Sequence, residues 1–349
     1  MPVPRLAALA RPLLTTLIAL VAATSVCAGA APEPHKDDLV AQARKEGSVV
    51  LYGSMTAPQM EAIAKRFQAK YGITVQTLRM ESNALPGRMM TEQRAGAYNA
   101  DVVDEPGFQI DQLKRHGLLT QFRAPENREM TSGTFDPDGY WSSVFLNTET
   151  IAYNPQRLKA AGLKPPTSWQ DLARPEWRGK FVLFNGSYEW YNAMCRALGK
   201  EKGDALMRAY TANGVQMINS HQLAENMVEA GEYTAALNTY GYDIARDAAN
   251  KVSVALVNPD PTIVEVHGIA IVNKAPHPTA ARLFERWLLS RETQSWIAGT
   301  LGRISPRKDV KNNPAIWNAH IRFLISNPAD SVNYAEDARS FNQIFGVAG

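Results

Sequence analysis

The chain has 349 residues, 45% hydrophobic and 20% charged, with 37 basic side chains against 34 acidic ones. That length holds two domains with real cores, and that composition excludes a wholly disordered chain. The near balance of charge gives no support to nucleic-acid or membrane-surface binding.

The first thirty residues differ from the rest. Arg5 and Arg11 precede an uncharged apolar segment, Leu13 to Val26, and Ala28-Gly29-Ala30 supplies small residues. This is the pattern of a secretory signal peptide cleaved near Ala30, and its apolar part is short of the ~20 residues that a spanning helix needs. Acylation of Cys27 is disfavoured by the bulky Val26 before it. With the leader gone, Cys195 stands alone, cannot form an internal disulfide, and reads as a small core residue.

After a charged lead-in, helical from Lys36, the run Val49-Val50-Leu51 reads as a buried strand. It stops at Gly53, and Ser54, Met55 and Thr56 lead into a predicted helix from Ala57 to Tyr71. Met60, Ile63, Ala64, Phe67 and Tyr71 share one face of that helix. Thr56 and Gln59 have capping-box spacing, Pro58 sits in the first turn, and Gly72 ends the helix. A second strand starts at Ile73. The loop between Tyr52 and Thr56 therefore lies where a strand's carboxyl end meets a helix N-terminus, the place where open α/β sheets bind small ligands.

The pattern repeats. Ser82-Asn83 precedes a helix from Leu85 to Ala95, Ala100 to Asp104 is a third strand, and Phe108 to His116 a further helix. Strand-like Tyr140 to Phe145 and Thr150 to Tyr153 bracket what reads as a polar turn, Leu146-Asn147-Thr148-Glu149. A second series follows: strand Phe181 to Phe184, break Asn185-Gly186-Ser187, helix Tyr188 to Leu198, strand Thr234 to Asn238, break to Tyr242 and another helix. Ile263 to Val272 is again a strand, and helices interrupted by prolines follow it. The predicted architecture is α/β with two lobes, each a mostly parallel sheet flanked by helices. Residues 31–148 and 264–349 are expected to form one lobe and 149–263 the other. Trp141 to Tyr153 and Ile263 to Val272 would be paired hinge strands, with a cleft between the lobes.

Four polar breaks at strand ends face that cleft: Ser54 to Thr56, Ser82-Asn83, Asn185 to Ser187 and Asn238 to Tyr242. The candidate ligand-binding residues are Tyr52, Ser54, Thr56, Ser82, Asn83, Asn185, Ser187, Tyr191, Asn238, Tyr240 and Tyr242. The competing reading is that such residues are ordinary caps and turn formers, most plainly for Thr56. His221 and His267 are the histidines near predicted cleft edges, and a lone histidine is more often hydrogen-bonded structure than a ligand. Asp101 and Asp104 read as strand-end residues on solvent-facing turns. No histidine, cysteine and aspartate cluster has zinc spacing, no cofactor is implied, and no hydrolase elbow, zincin motif or phosphate loop is present.

Several stretches resemble the extracellular solute-binding proteins of bacterial ABC importers, in the class 2 group that includes ferric-iron, thiamine, polyamine and aminophosphonate binders. They are Val49 to Ser54, Gly96 to Val103, Thr150 to Asn154, Pro166 to Leu172 with Pro175 to Lys180, and Ala275 to Ala281 with Phe284 and Trp287 to Ser290. The resemblance implies a type II periplasmic-binding-protein fold whose two lobes close on a solute. It also implies a monomer that delivers the solute to an inner-membrane permease from the periplasm and carries out no chemistry. Iron-binding members use tyrosinates. Tyr191-Asn192 and Asn238-Thr239-Tyr240 match parts of that pattern, but Gly241 stands where a second tyrosine belongs and Met55-Thr56-Ala57 replaces the first-lobe ligand. The main expectation is a small, polar, anionic solute bridging the loops, because helix N-termini attract negative charge and these loops, Asp243 excepted, are nearly free of acids. Ferric iron held by tyrosines is the alternative, and an exported hydrolase is the remote one.

Overall fold

The structure, a computed structural model, describes residues 36–347, so the leader, with Cys27 and Ala30, lies outside the described residues. The first part runs α1 (Lys36–Glu46), β1 (Ser48–Gly53), α2 (Ala57–Tyr71), β2 (Thr74–Arg79), α3 (Leu85–Arg94), β3 (Val102–Pro106) and α4 (Gly107–Arg115). Then come the long strand β4 (Ser142–Tyr153) and α5 (Pro155–Ala160). The second series is β5 (Phe181–Phe184), α6 (Tyr188–Leu198), α7 (Lys200–Ala212), β6 (Gln216–Ile218), α8 (His221–Glu229), β7 (Ala235–Tyr240) and α9 (Gly241–Ala249). The chain ends with β8 (Ala255–Val257), β9 (Thr262–Ile271), α10 (Pro278–Leu289), α11 (Arg291–Thr300), β10 (Phe323–Ile325) and α12 (Tyr334–Phe345).

The strand order is β2-β1-β3-β9-β4-β7-β5-β6, with β10 beside β9 and β8 beside β4. Each end of the sheet is a parallel triplet in which the first strand of its series lies in the middle. The two triplets meet through β9 and β4, which pair antiparallel with each other and with their outer neighbours. The two expected hinge strands thus lie side by side.

Local chemistry explains the elements. In α2, Met60, Ile63, Ala64 and Phe67 are buried at helical spacing, and Gly72 closes the helix at φ 72° with its N–H bonded to the Gln68 carbonyl. Burying such apolar side chains stabilises the fold by roughly 1.5–3 kcal/mol for each large one. One apolar cluster joins α2 to α10 through Phe67, Phe284 and Trp287. A second packs Trp169, Trp190, Tyr210 and Phe181, and α12 adds Phe341 and Phe345 to it, although α12 follows β9 in the chain.

The expected turn at Leu146 to Glu149 does not exist. Residues 142–153 form one continuous strand, buried almost throughout. Asn and Glu have poor strand propensity, but burial between two neighbouring strands overrides it. Asp101 and Asp104 are likewise fully buried, not on solvent-facing turns. Asp101 accepts hydrogen bonds from the N–H groups of Val50 (2.7 Å) and His277 (2.6 Å). His277 Nδ1 lies 2.8 Å from the same carboxylate and Nε2 lies 3.1 Å from Ser48 Oγ. This Ser–His–Asp chain fastens β1, β3 and the start of α10. None of the three lines the cleft described next.

Candidate functional site

A cleft of about 310 Å³ opens where β4 and β9 cross between the two triplets. Its floor comes from the strands themselves. Side chains alternate along a strand, so Asn147 and Glu149 of β4 and Glu265 and His267 of β9 face the same side. Phe145 pairs with His267 and Asn147 with Glu265 across the ladder. Asn147 Nδ2 donates to Glu265 Oε1 at 2.9 Å, and the Tyr240 hydroxyl donates to Glu265 Oε2 at 3.2 Å.

Beneath this floor lies a stack of flat groups. The Arg303 guanidinium sits 3.6 Å from the centre of the Tyr242 ring and 4.3 Å from that of Phe145, and Phe145 stacks on His267 at 4.3 Å. Arg303 donates to Asn147 Oδ1 and to Gln59 Oε1, both at 2.7 Å. His267 Nε2 lies 2.8 Å from Asp104 Oδ2. Asp104 also explains Gly53: a Cβ there would lie 1.3 Å from Asp104 Oδ1. The Ser54 N–H bonds to the Asp104 carbonyl at 3.3 Å, so one aspartate ties the first loop to the hinge strand.

The rim carries the hydroxyl and amide groups. Ser54, Thr56, Ser82 and Asn83 line it from one side, and Ser187, Asn238 and Tyr240 from the other. Thr56 precedes α2, but its side chain makes no capping bond. The Gln59 amide that capping-box spacing assigned to it is engaged by Arg303. Asn238 adopts φ 53°, a left-handed conformation that asparagine tolerates better than other branched or bulky residues. Its amide donates to Ser187 Oγ at 2.7 Å. His221 lies between the Phe184 and Tyr240 rings, with Nδ1 2.9 Å from the Asn238 carbonyl oxygen. Burial lowers its pKa to about 4, so its ring is neutral at ordinary pH.

Not every candidate sits in the cleft. Tyr52 packs on the opposite side with Leu85 and Met89, its hydroxyl 3.5 Å from Glu92 Oε1. Tyr191 is fully buried in the second core and donates to Asp204 at 2.6 Å. Asn185 lines an adjoining hollow with Ser82 and Asn219. Tyr242 reaches the cleft but is largely covered by Arg303. A side chain at Gly241 would meet Thr148 Oγ1 at 2.5 Å, so β4 leaves no room there for the second tyrosine of an iron-type pair.

The sequence reading missed the acids other than Asp243. Glu149, Glu189, Glu225, Asp243 and Glu265 all line the cleft, joined at its mouth by Glu81. Against them stand Arg79, which pairs with Glu81 at 2.5 Å, and the engaged Arg303. Burial is the first cause that raises Glu149, with Glu265 and Glu189 adding to it. Burial and Glu265 raise Glu189 to about 8, and burial and Asp243 raise Glu225. Glu189 accepts from Ser326 Oγ at 2.5 Å and from the Phe108 N–H at 3.4 Å, so it occupies the N-terminus of α4. The one available signal was alternation: residues 145, 147 and 149 share a face only if the presumed turn is a strand. Among the described residues, no group of three His, Cys, Asp or Glu side chains is placed to hold a metal ion.

A family profile described as bacterial extracellular solute-binding protein matches residues 62–323. The chain is 24% identical over 267 residues to the Fe(3+)-binding periplasmic protein of Serratia marcescens, an alignment covering 72% of this chain and 76% of that one. It is 23% identical over 262 residues to the spermidine/putrescine-binding periplasmic protein of Escherichia coli strain K12, covering 70% and 73%. The fold matches the periplasmic binding protein AfuA of Actinobacillus pleuropneumoniae, bound to exogenous fructose-6-phosphate, with a TM-score of 0.79. That match has 21% identity and covers 86% of this chain and 99% of the other, and it shows the two-lobed type II arrangement.

Proposed function

We propose that this chain, which belongs to the family of bacterial extracellular solute-binding proteins, is the solute-capturing component of an ABC importer. It works in the periplasm as a monomer, hands its solute to an inner-membrane permease, takes no part in nucleic-acid binding and performs no chemistry of its own. Residues 149–263 act as one lobe and the segments around them as the other, and β4 and β9 are the hinge. The observation that carries this reading is the cleft itself: its floor is the hinge, and its rim draws hydroxyls and amides from both sides of the hinge. A solute that touches both sides binds the closed form better than the open one and shifts the population toward closure.

The solute is small and polar. Its anionic or oxygen-rich end meets the rim, where Ser54, Thr56, Ser82, Ser187 and Tyr240 stand near the starts of α2, α3, α6 and α9; helix N-termini favour negative charge by about 0.3–1 kcal/mol each near a surface. The four loops alone suggested an anion throughout. The strand carboxyls below the rim, held towards their protonated form by burial and by one another, repel further negative charge, so an anionic end is favoured only at the mouth. Iron held by tyrosinates would have to use Tyr240 and Tyr242 without Tyr191.

Native mass spectrometry of protein isolated from periplasm tests the reading. It is supported by one small molecule bound per chain, released unchanged on denaturation and never consumed by the purified protein. Turnover of that molecule, or protein that stays empty in every extract and metabolite mixture, would contradict it. A visible tyrosinate band on ferric addition, lost in Tyr240→Phe, would promote the iron alternative.

A further inference from the structure

We infer that Glu149 and Glu265 form a subsite for a cationic nitrogen, so that the solute carries an ammonium or guanidinium group on the end that reaches the hinge strands. This rests on the solute-binding reading above and narrows its ligand class.

The floor and the adjoining rim residue Asn238 present buried acceptors that no protein donor meets. Glu149 is 2% exposed, lines the cleft and leaves its Oε2 without a partner. Asn238, also 2% exposed and lining the same cleft, leaves its Oδ1 unmet as well. Both of these atoms are acceptors and call for donors, and the unmet N–H donors of the cleft lining, Arg303 Nε and Trp190 Nε1, bond to neither of them. A buried acceptor left without a donor is costly, and such atoms in native proteins call for an explanation. Glu265 is 6% exposed and has donors on both oxygens, from Asn147 and Tyr240. It therefore stays beside Glu149 as a second carboxylate and raises the cost of charge there.

Arg303 does not answer the need: its terminal nitrogens bind Asn147 and Gln59, and its Nε bonds to neither acceptor. A metal is a poor candidate, since no metal-holding group of acids or histidines occurs among the described residues. A neutral hydroxyl would satisfy one acceptor but supply no counter-charge to the pair. An organic cation does both.

Scanning fluorimetry against an arrayed metabolite library tests the subsite, with amines matched to neutral or amine-free partners: putrescine with butanediol, arginine with citrulline, taurine with isethionate. The expected result is that stabilising solutes carry the cationic nitrogen and bind at least about tenfold more tightly than their partners, as for loss of a charge-assisted hydrogen bond. Calorimetry of Glu149→Gln with the best solute should show a loss of about tenfold or more. The same variant should melt about 2 °C higher when empty, because it removes an unpartnered buried carboxylate. A merely structural role would lower stability and affinity together. Glu265→Gln, tested in parallel, should also weaken the amine selectively, which keeps the test open if one variant folds poorly. Stabilising solutes that lack any cationic nitrogen, or unchanged amine affinity in both variants, would overturn the subsite and leave the solute-binding reading standing. A library without a single stabilising solute would overturn both.

Discussion

The rim and the floor of the cleft are built by different rules. The rim consists of short polar breaks between a strand and a helix, where small side chains and helix N-termini border the cleft. The floor consists of the middles of two long strands, where polar side chains are buried, alternate in direction and hold one another across the ladder. A rim residue is replaceable because little else depends on it. A floor residue is tied to the stack of Tyr242, Arg303, Phe145 and His267, and through Asp104 to the loop after β1. On the proposed reading, specific recognition resides in the floor and the rim supplies general affinity for oxygen-rich groups.

Substitutions can break this contrast, and the largest effect belongs where floor and rim join. Gly53→Ala places a methyl group 1.3 Å from Asp104 Oδ1, and denaturant melts should show a loss of about 3 kcal/mol or more. Next comes Arg303→Met, which strips Asn147 and Gln59 of their donor and opens the aromatic stack. A loss of about 2–4 kcal/mol is expected by the same method, and lysine should not rescue it because it lacks the planar fork. On the rim, Asn238→Ala combines a left-handed backbone with loss of the bond to Ser187, for about 1–2 kcal/mol. Thr56→Ala should cost at most about 0.5 kcal/mol, well below the usual cost of a lost threonine cap, because its side chain caps nothing.

The cleft lining also sets a pH signature. Burial and the neighbouring Glu265 push Glu189 in the folded chain up to about 8, against an ordinary 4.5. The unfolded chain therefore gives up this proton first as pH rises. The stability that protonated Glu189 contributes is complete below about 4.5 and is lost as pH rises to about 8. His221 acts oppositely: its pKa falls from 6.5 to about 4, so its contribution is present above 6.5 and lost as pH falls to about 4. Thermal melts of Glu189→Gln should accordingly lose part of the decline seen between pH ~5 and ~8 in the wild type. An unchanged slope would mean that Glu189 is not held protonated.

Much of the fold was legible in the sequence. The helix from Ala57 to Tyr71, its buried face and its Gly72 terminus follow from periodicity and one glycine. The two strand-helix series and the pairing of the hinge strands also follow from pattern. What escaped was polar and buried. Asn147, Thr148 and Glu149 have the composition of a turn, and only their neighbours on either side make them a strand. Asp101 and Asp104 look like solvent-facing residues until His277 and His267 arrive from far along the chain. Tyr191 and Tyr242 are a single helical turn or less from cleft residues, yet Tyr191 turns into a core and Tyr242 under Arg303. Local pattern finds elements; it does not find partners that lie a hundred or more residues away.

The most direct measurement is titration calorimetry of one stabilising solute against the wild type, Glu149→Gln and Thr56→Ala. A floor that recognises the solute predicts a loss of about tenfold or more in Glu149→Gln and only a few-fold change in Thr56→Ala. A large loss in Thr56→Ala with none in Glu149→Gln would place recognition in the rim and contradict the account.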